Sequence, residues 1–171
     1  MGNALLQLDA GYLGFLLEGS RAFVNPKELL EDLSADDAVK PVAGCNHTIA
    51  EVVAHLLYWQ NWFYQGAVGD LQAYPQSNEL SFPKVAASEW TDLRASFLQS
   101  LGDIKHLCAD TALLNRPFSQ GKALEGGHDQ RTVAMTLLYS VALHNAHHYG
   151  QIITLRQVLG AWPPRAGGVS W

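Results

Sequence analysis

Apolar residues along this chain recur at intervals of three and four, and four stretches hold that rhythm long enough to predict long helices. Leu5, Leu8, Tyr12, Phe15 or Leu16, Gly19 and Phe23 mark the first, ending near Asn25. Asn25-Pro26-Lys27-Glu28 then reads as a helix cap with proline at the first helical position, opening a short helix through Leu33. Thr48-Ile49-Ala50-Glu51 is a capping box, so a second long helix is predicted from Thr48 to about Gln65, before Gly66 and Gly69. Trp90, Leu93, Phe97, Leu101, Ile104 and Cys108 define a third, starting near Ser88. Asp129 is the expected cap of the fourth, which runs to Gly160 with Pro163-Pro164 beyond it.

No stretch alternates strictly enough to demand a strand, so the class is all-α. Two segments rich in Gly, Pro and polar residues, 66–87 and 112–128, are read as loops. Antiparallel neighbours in a helical bundle are joined by a few residues, whereas about twenty separate the second and third helices. A connection that long can cross the bundle, which predicts a third helix parallel to the second.

The polar residues that interrupt the apolar rhythm carry the chemistry. Val133, Leu137, Val141, His144, His148, Ile152, Leu155 and Leu159 form one helical stripe, and the two histidines in it are a turn apart on the same face. His55 occupies the same kind of position among Val52, Trp59 and Trp62 or Phe63. Imidazoles taken into a core need hydrogen-bond partners or a metal ion, so His55, His144 and His148 are read as three ligands of one metal. His147 lies about 100° round the helix from His148 and is expected to border the site. Trp59, Tyr149 and Gln151 are candidates for the pocket or for supporting the ligands, as is Asn145. Gly150 in mid-helix suggests a close helix approach, while His47, His106 and His128 are expected at the surface. Tyr58, Trp59, Trp62, Phe63 and Tyr64 are read as core or interface, those near His55 as walls of an apolar pocket, and Trp162 and Trp171 as anchors of the tail.

Composition narrows the classes. The 171 residues are expected to form a single domain, 1–171, with a real core. A net charge of −5 without a basic block disfavours nucleic acid as a partner. The Leu5–Leu17 region contains Asp9 and lacks a basic flank, so it is read as neither export signal nor membrane span, and Met1-Gly2 is not a myristoylation signal because Leu6 stands where Ser or Thr is wanted. Cys45 and Cys108 are too few for a disulfide framework, and a cytoplasmic location with free thiols is expected. Cys108 is read as core; Cys45 precedes His55 by enough residues to sit roughly 15 Å away and is set aside as a ligand. Charged residues make up only 16%, against about 25% usually, which fits either a surface rich in neutral polar residues or a homodimer formed through helix faces.

Pro41-Val42-Ala43-Gly44, leading into Thr48-Ile49-Ala50-Glu51-Val52-Val53-Ala54-His55-Leu56, and the later His144-Asn145-Ala146-His147-His148-Tyr149-Gly150-Gln151-Ile152 with Leu155-Arg156-Gln157-Val158-Leu159-Gly160, resemble the DinB/YfiT-like metalloprotein superfamily. The resemblance implies a four-helix bundle of up-down-down-up course and the same triad of His55, His144 and His148. Cys45-Asn46-His47 departs from the family's pattern, which often has an aromatic residue there, and the tail after Pro163-Pro164 lacks an acidic residue common in the family.

Three neutral imidazoles suit zinc, nickel, copper or iron, with zinc or nickel expected first and iron a further candidate, and leave positions open for a small molecule. Such an ion lowers the pKa of a water or holds a thiol as thiolate near neutral pH. By resemblance, the expected activity is a metal-dependent transferase that activates a low-molecular-weight thiol. Two other readings follow from the same ligands: a metal-dependent hydrolase, and a non-enzymatic metal-binding or stress-response protein.

Overall fold

A computed structural model describes residues 10–19, 23–70, 73–118 and 131–165. Among them the secondary structure is helical, with one isolated antiparallel bridge between Pro117 and Thr132. The helices are α1 (Ala10–Glu18), α2 (Pro26–Leu29), α3 (Ala35–Ala38), α4 (Ile49–Val68), α5 (Trp90–Leu107), α6 (Thr111–Leu114), α7 (Val133–Leu137) and α8 (His144–Val158). Between α7 and α8 the chain does not break; Leu138–Leu143 continues the rod with the wider π-helical spacing.

Local chemistry explains most boundaries. Thr48 and Glu51 close the expected capping box: the Glu51 amide donates to Thr48 Oγ1 and the Thr48 amide to Glu51 Oε2, both at 3.2 Å. α4 runs three residues past the expected Gln65 and stops where Gly69 turns left-handed (φ 101°). α1 ends at Gly19 (φ 69°), short of Phe23, and a Cβ there would lie 2.4 Å from the Val24 carbonyl oxygen. Asn25 caps α2 as expected, but the segment through Leu33 is not one helix; Ser34 caps a separate turn, α3, by accepting from the Asp37 amide. Another short helix, α6, capped by Asp110, interrupts the expected second loop. The cap of α7 is Thr132, whose Oγ1 accepts from the Met135 amide; Asp129, the expected cap, lies outside the described residues, as do His128, Trp171 and Leu5.

Two apolar clusters fill the interior. One joins Ile49, Val53 and Leu56 of α4 to Trp90, Phe97 and Leu101 of α5 and to Tyr149, Ile152 and Leu155 of α8, with Leu29 and Leu30 beside them. The other joins Trp59, Trp62, Phe63 and Ala67 of α4 to Ile104 and Cys108 and to Val133, Leu137 and Val141, with Leu13 and Leu17 of α1. Cys108 is thus core, and burial pushes its thiol up to about 11. Gly150 does not serve a close approach, because it is exposed and a Cβ there would meet open space.

Arg156, fully buried, ties the end of α8 to the chain after α2. It donates to the Leu29 carbonyl (2.6 Å), the Ala161 carbonyl (2.9 Å) and Asp32 Oδ1 (2.9 Å), and its guanidinium sits 5.2 Å from the centre of the Trp162 ring. Trp162 therefore packs against the helices, as expected. No helix among the described residues is long and apolar enough to cross a membrane.

Candidate metal centre

α4 presents His55 and α8 presents His144 and His148, and these three bring their Nε2 atoms together. His144 Nε2 lies 3.1 Å from His55 Nε2 and 3.1 Å from His148 Nε2. All three residues offer a ring nitrogen within 4.8 Å of the others. Two nitrogens bound at roughly 2.0–2.1 Å to one ion and separated by 3.1 Å subtend about 100°, between the octahedral and tetrahedral values. The spacing fits three imidazoles on one face of a divalent cation.

Hydrogen bonds behind the rings settle which nitrogens are free. Ser81 Oγ gives its proton to the Asn78 carbonyl and accepts from His55 Nδ1 at 2.7 Å, so His55 Nε2 is left as a lone pair. Gln151 Oε1 accepts from His148 Nδ1 at 2.7 Å, with the same result for His148 Nε2. The Gln151 amide nitrogen then donates to His147 Nε2 at 3.2 Å. Two lone pairs facing a third imidazole nitrogen cannot all be satisfied by the single proton that nitrogen can hold. A bound cation resolves that conflict, and such outer hydrogen bonds fix the tautomer and orientation of a metal-binding histidine.

Electrostatics keeps the donors unprotonated. Burial, then the neighbouring His148 and His144, lower His55 to about 3. Burial, with His148 and His147 beside it, lowers His144 to about 4. His148 is lowered too, by burial first, although its bond to Gln151 works the other way. Near neutral pH these residues therefore offer a metal three lone pairs and require no proton to leave.

The environment differs from the simple stripe along the last helix. His55 and His148 are buried, but His144, directly after the π-helical stretch, is only half-buried, while Asn145, Tyr149 and Ile152 are buried. Its open side faces a cavity of about 530 Å³. Trp59 and His147 line that cavity, together with Phe63, Tyr74, Asn78, Phe82, Tyr139 and Ser140. Tyr149 is placed elsewhere: its ring is fully buried between Phe23 and Phe97, with centroids 5.9 and 6.4 Å away, and it is not part of the cavity wall. Asn145 is likewise buried in the interior.

Ser81 and Phe82 belong to the site without having been legible in the sequence. Both lie on the connection between α4 and α5, where Ser77 caps a single 3₁₀ turn, Asn78–Ser81. Phe82 stacks on His55 (3.8 Å, 9°) and, on its other face, on His47 (3.9 Å, 9°). His47 is accordingly half-buried, not free at the surface, and its Nδ1 lies 3.6 Å from Glu51 Oε2. Cys45 is exposed and outside the cluster, and His106 is exposed, its Nδ1 donating to the Gly102 carbonyl.

No curated protein and no solved structure matches the chain. Residues 24–152, which include His55, His144, His148 and Ser81, match the sequence pattern of the DinB superfamily. The histidine cluster thus falls inside the matched segment, and the chain belongs to the DinB superfamily.

Proposed function

We propose that this protein is a divalent-metal-dependent transferase that activates a low-molecular-weight thiol, with His55, His144 and His148 as the ion's protein ligands. The observation that carries the metal site is the convergence of three Nε2 atoms, two of them held as lone pairs by Ser81 and Gln151. Zinc or nickel suits this donor set best, with iron a further candidate. When bound, the ion supplies Lewis acidity that favours the thiolate near neutral pH. The rest is the work of the chain: the two buried histidines anchor the site, and half-buried His144 borders a cavity large enough for a small molecule.

Openness of the site on the cavity side favours this reading over a non-enzymatic protein whose ion only braces the helices. A metal-dependent hydrolase uses the same opening and is the second reading. Its distinguishing property is product formation without any thiol.

We place the site in a single domain, 1–171, built as a four-helix bundle of up-down-down-up course from α1, α4, α5 and the α7–α8 rod. In support, the starts of α4 and α5 share one apolar cluster and their ends share the other, while the rod meets the same clusters in reverse order. The connection 69–89 then serves as the crossover between parallel helices, and it carries Ser81 and Phe82 to the metal site. A cytoplasmic homodimer completes the proposal; both cysteines are unpaired thiols, and sedimentation as a monomer at micromolar concentration removes the dimer.

Elemental analysis of the purified protein beside His148→Ala tests the site. About one ion per chain, lost in the variant, is expected for an open three-histidine site. Thiol addition to the cobalt-substituted protein is expected to change its visible spectrum; an unchanged spectrum defeats the transferase reading while leaving the metal site intact.

A further inference from the structure

We infer that the cavity beside the histidine cluster receives an uncharged, flat aromatic or conjugated molecule, held among Trp59, Phe63, Tyr74 and Tyr139. Its role as the electrophile attacked by sulfur rests on the transferase reading; the binding itself rests on the cavity alone.

The argument begins with what the wall lacks. Among the described residues that line the cavity, none is Asp, Glu, Lys or Arg; apart from imidazoles, its polar side-chain groups are the Asn78 amide, the Ser140 hydroxyl, the two phenol hydroxyls and the Trp59 indole N–H. Lys84, on the same connection as Phe82, is engaged by Glu51 at 2.8 Å and does not line the cavity. In the metal-free protein a charged group carried into this space would lose water and find no carboxylate, ammonium or guanidinium on the wall, which disfavours it.

What the wall contains points to a ring. Trp59 and Trp62 cross at 71°, and the Tyr74 ring sits 5.5 Å from Trp59 and 5.6 Å from Trp62, so mutual packing orients the aromatic side. Tyr74 and Tyr139 are 57% and 54% exposed, leaving aromatic surface at the mouth that a planar guest would cover. Tyr139 and Ser140 reach the cavity from the π-helical stretch just before His144, a spacing often found at functional sites. Asn78 and Ser140 offer a neutral guest hydrogen bonds at the rim.

Two nearly isosteric probes separate charge from shape: neutral 2-naphthamide and anionic 2-naphthoate, titrated calorimetrically into metal-free and zinc-loaded full-length protein. In the metal-free protein, where no cation can capture the carboxylate, the amide is expected to bind about tenfold or more tightly than the acid. Zinc is expected to leave amide affinity nearly unchanged. Tyr139→Ser, at an exposed position, is expected to weaken the amide about tenfold with an unaltered thermal midpoint. Equal or tighter binding of naphthoate to the metal-free protein, no naphthamide binding at millimolar concentration, or full affinity in both Tyr139→Ser and Tyr74→Ser overturns the inference. Amide binding together with an unresponsive cobalt spectrum leaves the cavity assignment standing and removes only the transferase; a responsive spectrum without amide binding does the reverse.

Discussion

Ser81 accepts a hydrogen bond from His55 across 26 positions of chain, with 2.7 Å between Oγ and Nδ1. Ser81 is the one buried residue among the described residues of the α4–α5 connection, and the pair links it to the helix that carries His55. Because the serine proton is committed to the Asn78 carbonyl, the contact has a direction: His55 donates, and its Nε2 is kept bare. Gln151 does the same for His148 from within α8.

Losing either support is therefore expected to weaken metal binding without abolishing it. Ser81→Ala and Gln151→Leu leave three imidazoles in place but free two rings to adopt the wrong tautomer or rotate, and each variant should lose about 10–100-fold in metal affinity. Competition with a chromophoric chelator measures this. Affinity equal to the unmodified protein in both variants would mean that packing alone orients the rings.

Acid stability is expected to depend on Asp32. Its carboxyl is held below the ordinary 3.8, first by the Arg165 amide and, against the cost of burial, by Arg156. The sign follows: a depressed carboxylate contributes stability that is fully present above 3.8 and disappears as pH falls through the lower folded value. Asp32 also has a left-handed backbone (φ 51°), which asparagine tolerates, so Asp32→Asn removes the charge with little added strain. Because Asp32 is partly exposed, the loss at pH 7 should be about 1–3 kcal/mol, less than for a fully buried pair. Urea unfolding at pH 7 and pH 3 checks the prediction; a gap between the two proteins that does not shrink toward pH 3 contradicts it.

The histidine cluster was legible in the sequence for a simple reason: helical periodicity maps spacing directly onto faces, so His144 and His148 declare a common side and His55 a buried one. Capping chemistry likewise marked the start of α4. Ser81 and Phe82 lie where no period exists, and their place at the site depends on how the connection folds back over α4. The π-helical stretch was hidden among apolar residues that an ordinary helix would accept equally well. It ends directly before His144, which borders the cavity, while Tyr149, five residues on, lies in the core. Asp129 was a reasonable cap on sequence alone, but Thr132 also satisfies the chemistry and lies next to the first helical residue.

Gln60 offers a different test, because its amide is buried without reward. It is 1% exposed on α4, and neither its Oε1 nor its Nε2 has a hydrogen-bond partner. Replacing it by methionine keeps the length and removes the stranded polar atoms. Gln60→Met is expected to stabilise the protein by about 1–2 kcal/mol, the cost of an unmet buried polar group. Chemical denaturation reads the change directly. A destabilised variant would show that the amide is satisfied in solution, by internal water for instance.

His47 supplies the sharpest control on the ligand set, since it is close to His55 without sharing its centre. The Phe82 ring lies between the two imidazoles, stacked within 4 Å of each (3.9 and 3.8 Å), and so separates His47 from the three converging nitrogens. His47→Ala should retain about one ion per chain, with affinity within about twofold, whereas His55→Ala should lose the ion. The substitution also deprives Glu51 of a neighbour, but the carboxylate keeps Lys84 at 2.8 Å and the Thr48 amide at 3.2 Å, so helix capping survives. A stability change of no more than about 0.5 kcal/mol is expected from a partly exposed pair of this kind. Elemental analysis of both variants decides the matter: an empty His47→Ala protein would put the ion on the other side of Phe82 and dissolve the triad.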